Sequence, residues 1–431
     1  MRKQFYKYVI PSVLAFALSG VYAIVDGFFI GNSVGDIGLA AINIAYPITA
    51  LIQSIGTGIG IGGSVELSVN IGKNDVKAQK SYFTATIFML ILASIICTAI
   101  LHFASPTLLT AFGAEGELHT SAMAYLSIIV LGTVFQIMGT GLVPLIRNVV
   151  TSSAAMLAML VGFATNIILD YTLIYIYSFG IAGAAIATIT GQGLTMAICI
   201  GILAKKSNYF SVTAIDSLSG FIDLVKHIIA VGLSPFGLTF SPNITLIVIN
   251  KSAIVNGGDV AVSCYAVIAY ILCVVQLLLQ GVGDGCQPIL SRYYGEGNTK
   301  SLKINRGIAY RFTFVLSLVC TIITILLRNY IPVLFGTSES VAEACANAFP
   351  IFSAGLIFFG FTRVTTSYFY ATQHSLPAYV LIYGEPVLLF IILLFIPHIF
   401  GINGVWAATP IVQVIMACLS LIISNRKKYK I

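Results

Sequence analysis

Four oxygen-bearing side chains, Asp26, Asn166, Asp170 and Thr188, stand inside long apolar stretches of this 431-residue chain. Two carboxylates, an amide and a hydroxyl are hard donors of the kind that hold a cation such as Na⁺. Two neighbouring acids can also share a proton, because like charge raises one pKa toward physiological pH. The residues alone leave both chemistries open. Asn166 and Asp170 are four apart, on one face of a helix. Counted inward from the outer helix ends, Asp170 and Thr188 lie about 12 Å deep, and Asp26 slightly nearer the outside. An Asp near the centre of a membrane helix costs roughly 2.5–3.5 kcal/mol on insertion scales, so such an acid is by default a functional residue. The plainer alternatives are a cap or staple at a helix bend for Asp26, a helix end for Asp170 and packing alone for Thr188.

Composition requires the helices that carry these residues to cross a membrane. The chain is 58% hydrophobic and 9% charged, against roughly 25% charged in an ordinary soluble domain. Lipid cannot satisfy exposed backbone groups, so helices are expected, and the alternation of a membrane barrel is absent. Apolar runs long enough to span predict an all-α membrane protein with twelve spans. They lie at approximately 8–30, 43–71, 83–105, 120–145, 154–178, 181–204, 224–250, 261–291, 309–331, 345–370, 376–399 and 403–424.

The twelve spans form two copies of six. Gly35, Asp36, Gln53, Gly58, Gly60, Gly62 and Gly72 recur 223 positions later as Gly258, Asp259, Gln276, Gly281, Gly283, Gly285 and Gly295. Residues 179–183 return in similar form at 400–404. The expected division is an N-lobe at 1–204, a polar cytoplasmic linker at 205–223, a C-lobe at 224–425 and a basic tail at 426–431. Such pseudo-symmetric lobes frame a central cavity in many transporters. Inner segments 72–82 and 292–308 read as interfacial amphipathic turns. Arg2, Lys3 and Lys7 before an apolar run mimic a signal peptide, but the repeat argues that this segment stays as the first span. With the N-terminus inside, twenty Lys and Arg fall on the inner side and two outside, which predicts a multi-pass cell-membrane protein with both termini cytoplasmic. That topology explains the net charge of +7 and leaves nucleic-acid binding without support.

Function is expected where the copies differ. Asp26 corresponds to Ile249, and Asp170 to Ile391 or Ile392, so the N-lobe alone carries these acids. Glu66 and Asp284 are also unrepeated. Arg363 and Glu385, in the tenth and eleventh spans, read equally as a lobe-stabilising ion pair and as substrate contacts. Phe135, Met138, Tyr265, Tyr270, Asp284, Arg363 and Phe369 are candidate cavity residues, although core packing is the favoured reading for the apolar and aromatic ones. Pro11 is placed to kink the first helix. The eight cysteines show no metal-ligand spacing and read as small buried hydrophobes.

Two six-helix copies, Val25-Asp26-Gly27-Phe28-Phe29-Ile30-Gly31 in the first span and Asn166-x-x-x-Asp170 in the fifth together resemble the multidrug and toxic compound extrusion (MATE) family. So do Gly62-Gly63-Ser64 and Gln287-Pro288-Ile289. The resemblance covers essentially the whole chain. It implies an antiporter that exports organic compounds while Na⁺ or H⁺ flows inward, by alternating access and without a cofactor. It maps the cation-binding positions onto Asp26, Asn166, Asp170 and Thr188, and the helix-bending proline onto Pro11. Departures concern the substrate: Val149 to Ser153 replace an Asp-Gly turn and proline, Tyr383 to Pro386 stand where many relatives have arginine, and Gln413 where many have glutamate. An aromatic cavity with few acids suits amphipathic, cationic organic substrates. A flippase for a lipid-linked precursor is the alternative, and it requires a basic cavity for phosphate. No nucleophile–base set of an enzyme is present. The expected partners are small organic substrates and the bilayer, with the monomer as the working unit.

Overall fold

The computed structural model describes residues 1–205, 209, 211, 215 and 217–426, and at residues 23, 26–28, 31–36 and 39 the helical backbone alone. All regular structure among the described residues is helical. In chain order the elements are α1 (Arg2–Gly72), α2 (Val76–Ala111), α3 (Gly116–Leu131), α4 (Thr133–Val149), α5 (Ser152–Asp170), a π-helix (Tyr171–Ile176) and α6 (Gly180–Ala204). Then follow α7 (Leu218–Gly295), α8 (Thr299–Leu326), the short α9 (Ile331–Leu334), α10 (Glu339–Ala354), α11 (Leu356–Ala371) and α12 (Ser375–Asn425).

These elements match the twelve expected spans. α1 holds two apolar windows, Arg2–Tyr22 and Ala40–Gly72. α3 with α4, and α10 with α11, are bent pairs with angles of 56° and 41° that each make one span. α7 and α12 each contain two spans divided at a left-handed glycine, Gly258 (φ 61°) and Gly401 (φ 56°). A Cβ at either position would strain the backbone, which is why the repeated glycines mark these breaks.

The segments read as interfacial turns are mostly helix instead. α2 begins at Val76 and α8 at Thr299, several residues before their apolar runs. The reason is capping. Asp75 accepts from Ala78 N at 3.0 Å, and Asn298, 223 positions on, accepts from Ser301 N at 3.0 Å. Each satisfies a first-turn amide, so the helix extends into the polar interface beyond what hydrophobicity alone predicts.

The described chain packs as two compact units, Leu18–Phe240 and Met1–Ala17 with Ser241–Ile431. Each contains the leading half-helix that precedes the other copy, and the repeated glycines show how it is held. Within the first unit, a Cβ added to Gly62 of α1 would clash with Ile228 O and lie 2.9 Å from Gly232 Cα of α7. Within the second, a Cβ on Gly281 or Gly285 of α7 would lie 2.8 Å from the Cα of Val13 or Val9 of α1. The glycines are thus duplicated because each copy seats a half-helix at backbone contact distance, as small residues allow in membranes. Gly62→Leu has no rotamer that relieves a backbone clash. It is expected to abolish the monodisperse peak on size exclusion, and a normal peak with unchanged melting would contradict this packing.

The cysteine reading holds for Cys199, Cys264, Cys286, Cys320 and Cys345, which are buried, whereas Cys273 and Cys418 are exposed. An exposed position on an apolar span faces lipid at no hydrophobic cost, so burial was not required there.

Candidate functional site

α5 is capped at its start by Thr151, whose hydroxyl accepts from Ala154 N at 3.1 Å. It then runs against α6 along a seam of small residues. A Cβ at Gly162 would clash with Thr195 Oγ1, and one at Gly191 would meet Gly162 O at 2.7 Å and Asn166 Cβ at 3.1 Å. This close approach brings the polar side chains of the two helices within reach of each other. Asn166 is one turn beyond Gly162, and Thr188 is nearly one turn before Gly191, so the amide reaches the hydroxyl: Asn166 Nδ2 donates to Thr188 Oγ1 at 3.4 Å. With Nδ2 directed at Thr188, Oδ1 is turned away from it, and that oxygen is buried with no hydrogen-bond partner among the described residues.

Asp170 lies one turn further, on the same face, and is 0% exposed; Asn166 is 2% exposed. The α-helix ends at this aspartate and continues as a π-helix over Tyr171–Ile176. A π-turn inserts an extra residue and so changes which side chains line the face beyond it. The chain then turns at Ser178 (φ 56°) and Gly180 (φ 53°) into α6. The cluster is therefore formed by α5 and α6, which are separated in the chain by the π-helix and a turn.

α1 is pinned to the same stretch of α5 by aromatic contacts on both sides of Asp26. Tyr22 stacks on Phe163 with ring centroids 5.1 Å apart and an interplanar angle of 9°. Phe29 contacts Tyr171 at 6.5 Å and Tyr175 at 5.7 Å. The segment of α1 from 22 to 29 is thus held along the part of α5 that carries Asn166 and Asp170. Asp26 belongs to that segment, but its side chain lies outside the described residues. None of Gly162, Gly191, Tyr22, Phe163 or the π-helix was singled out from sequence. The small residues one turn from each polar partner were the signal available.

The other candidates do not gather into one cluster. Arg363 Nη2 lies 3.3 Å from Glu385 Oε2, and Gln413 Nε2 donates to Glu385 Oε1 at 2.8 Å. The guanidinium carbon sits 4.3 Å from the centroid of Phe359. This network joins α11 to α12 and absorbs two of the positions at which the chain departs from its relatives. Asp284 Oδ1 accepts from Tyr370 Oη at 2.8 Å, beside the fully buried Phe369. Tyr265 belongs to a ring cluster with Phe352 (5.9 Å) and Trp406 (6.2 Å). Tyr270 stacks on Phe335 at 5.8 Å and is 37% exposed. Met138 is buried, while Phe135 is half-buried on α4, its ring 3.5 Å from where a Cβ on Gly193 of α6 would stand. Pro11 lies within the helical run of α1, beside Ser12 and Val13, whose backbone approaches Gly281.

The chain as a whole is similar to known proteins. The MatE family profile matches residues 11–172 and 233–396. The multidrug export protein MepA of Staphylococcus saprophyticus is 22% identical over 414 residues, covering 96% of this chain and 91% of that protein. Among solved structures, an outward-facing multidrug resistance MATE transporter of the MOP superfamily superposes with a TM-score of 0.90 at 22% identity, over 98% of this chain and 95% of its own. A MOP superfamily transporter from Pyrococcus furiosus, described as having a binding pocket of reversed polarity, gives 0.91 at 22% identity with the same coverage.

Proposed function

This chain belongs to the MATE family of membrane transporters, and we propose that it is an antiporter in which an inward flow of Na⁺ or H⁺ drives the export of amphipathic, cationic organic compounds. The observation that carries the coupling is the buried cluster of α5 and α6. It supplies the Asp170 carboxylate, the Asn166 Oδ1 acceptor and the Thr188 hydroxyl. Asp26, on the segment of α1 pinned alongside, completes the proposed set. Three oxygen-donor side chains plus that second acid suit a hard cation, and the same acids suit a shared proton.

In this reading the cation pulls the outer part of α1 against α5, and the two copies, 1–204 and 224–425, alternate access to a substrate cavity. A coupling ion shifts such an equilibrium only through its difference in affinity for the two states. The Asn166–Asp170 face, where α5 passes into the π-helix, is where that difference would arise. No cofactor is required. The protein is proposed to act as a monomer in the cell membrane, with both termini cytoplasmic.

A lipid-precursor flippase needs a basic cavity, and Arg363, its main intramembrane candidate, is neutralised by Glu385. That weighs against it. The test is uptake of a fluorescent organic cation into proteoliposomes with Na⁺ and pH gradients imposed separately. At least one gradient is expected to drive accumulation. Equal, gradient-independent movement under both would overturn the antiporter reading.

A further inference from the structure

The start of α1 and the inner end of α8 enclose an open groove of about 540 Å³, lined by Arg2, Lys303, Ile304, Gly307, Ile308 and Arg311 among others. The two helices are clamped there by Phe5 and Tyr6, whose rings lie 6.3 and 5.9 Å from that of Phe312. Lys303, Gly307 and Arg311 are spaced by four and share one face of α8, with Ile304 and Ile308 on the adjacent row. Among the described residues of the lining, three side chains are cationic and none is acidic. Gly307 forms an open floor: a Cβ there would meet nothing within 4 Å.

Among the described residues, the two copies differ at this face. The equivalent caps at Asp75 and Asn298 align α2 with α8, so that Lys80 matches Lys303, Thr84 matches Gly307 and Phe88 matches Arg311. On α2 the corresponding face is contacted by Ser211 and Tyr209. Thr84 Oγ1 donates to Ser211 O at 3.2 Å, Ser211 N donates to Thr84 Oγ1 at 3.0 Å, and Tyr209 packs on Phe83 at 5.9 Å. On α8 the covering polar contact is replaced by a glycine and the aromatic by an arginine.

Beyond Arg311 the same side of α8 continues as an exposed apolar stripe: Phe314 (54%), Val315 (58%), Leu318 (38%) and Ile322 (47%). We propose that the groove binds an anionic phospholipid, with its phosphate among Arg2, Lys303 and Arg311 and its acyl chains along this stripe. A basic mouth opening onto an apolar rail fits a lipid, because a free phosphate gains nothing from the rail. Three cations and no acid disfavour the choline of a zwitterionic head group, and basic residues beside membrane helices attract anionic lipid. Binding of this kind requires these helix ends to lie at the membrane–water interface, and it is independent of which ion or substrate the protein moves.

The test uses the purified full chain and compares phosphatidylglycerol, phosphatidylcholine with the same acyl chains, and inorganic phosphate. Retained lipid is read by native mass spectrometry and the melting midpoint is followed in parallel. Phosphatidylglycerol is expected to be retained preferentially and to raise the midpoint. Retention should fall about fivefold for each of R2Q, K303Q and R311Q, the size expected for one cation near an anionic surface. G307L fills the floor with every charge intact and should abolish retention. Because its added Cβ has open space, it should still elute as a folded protein; should it fail to fold, the three charge variants decide. Equal retention of phosphatidylcholine, wild-type retention across the charge variants or in folded G307L, or an equal midpoint shift with inorganic phosphate would each overturn the proposal.

Discussion

Asp170→Asn is expected to reduce gradient-driven substrate movement to the level of protein-free liposomes while leaving a folded protein. The substitution is nearly isosteric and retains a polar group at a position that is 0% exposed. It removes the negative charge, and with it both the electrostatic attraction for a cation and the capacity to titrate. A buried acid in a membrane helix carries a penalty of roughly 2.5–3.5 kcal/mol on insertion scales, so the amide should melt no lower than the wild type. Loss of transport with stability retained separates a coupling role from a helix-end role. A helix-end role would leave transport intact and move the melting midpoint. Asn166→Ala should act in the same direction but less completely, because it removes Oδ1 and the donor to Thr188. Thr188→Val should be the mildest of the three, costing about 0.5–1.5 kcal/mol for one neutral hydrogen bond. Wild-type accumulation by Asp170→Asn under both Na⁺ and pH gradients would remove this cluster from the mechanism.

The second large effect concerns stability. Glu385→Ala strands Arg363 in the interior, where the pair is 8% and 14% exposed and Gln413 also loses its acceptor. Breaking one partner of a buried pair costs about 3–5 kcal/mol, whereas replacing both with apolar residues of similar volume is often neutral. The cation–π contact with Phe359 recovers only part of the loss. Glu385→Ala should therefore melt well below the wild type, and the double variant Arg363→Met with Glu385→Leu should regain most of the difference. The double variant also resolves the two readings of this pair. A structural pair leaves transport intact once stability returns, while a substrate contact does not. An unchanged melting midpoint for Glu385→Ala would count against the pair as a support of α11 and α12.

Much of the architecture was legible in the residues because its causes are local or periodic. Apolar run length set the spans, since lipid admits no unpaired backbone. The repeat marked Gly258 at an offset of 223 and Gly401 at 221, and the structure puts left-handed breaks at both, because only glycine enters that backbone region at little cost. Asn166 and Asp170 shared a face by spacing alone. Helix starts were less legible: Asp75 and Asn298 lengthened α2 and α8 past their apolar runs through single hydrogen bonds that hydropathy does not register.

What tertiary structure decided is contact across elements. The repeated glycines were visible, but only packing showed that Gly62 meets the leading half of α7 and Gly285 the leading half of α1. Glu385 and Gln413, 28 residues apart, became partners only when α12 was folded at Gly401. The same is true of the proposed cation cluster. Sequence by itself named Asp26, Asn166, Asp170 and Thr188 through the burial cost of polar groups in lipid. Only the backbone approach at Gly162 and Gly191 brought Asn166 to Thr188, because hydrogen bonds act over a few ångströms and spacing along a chain does not determine distance between helices.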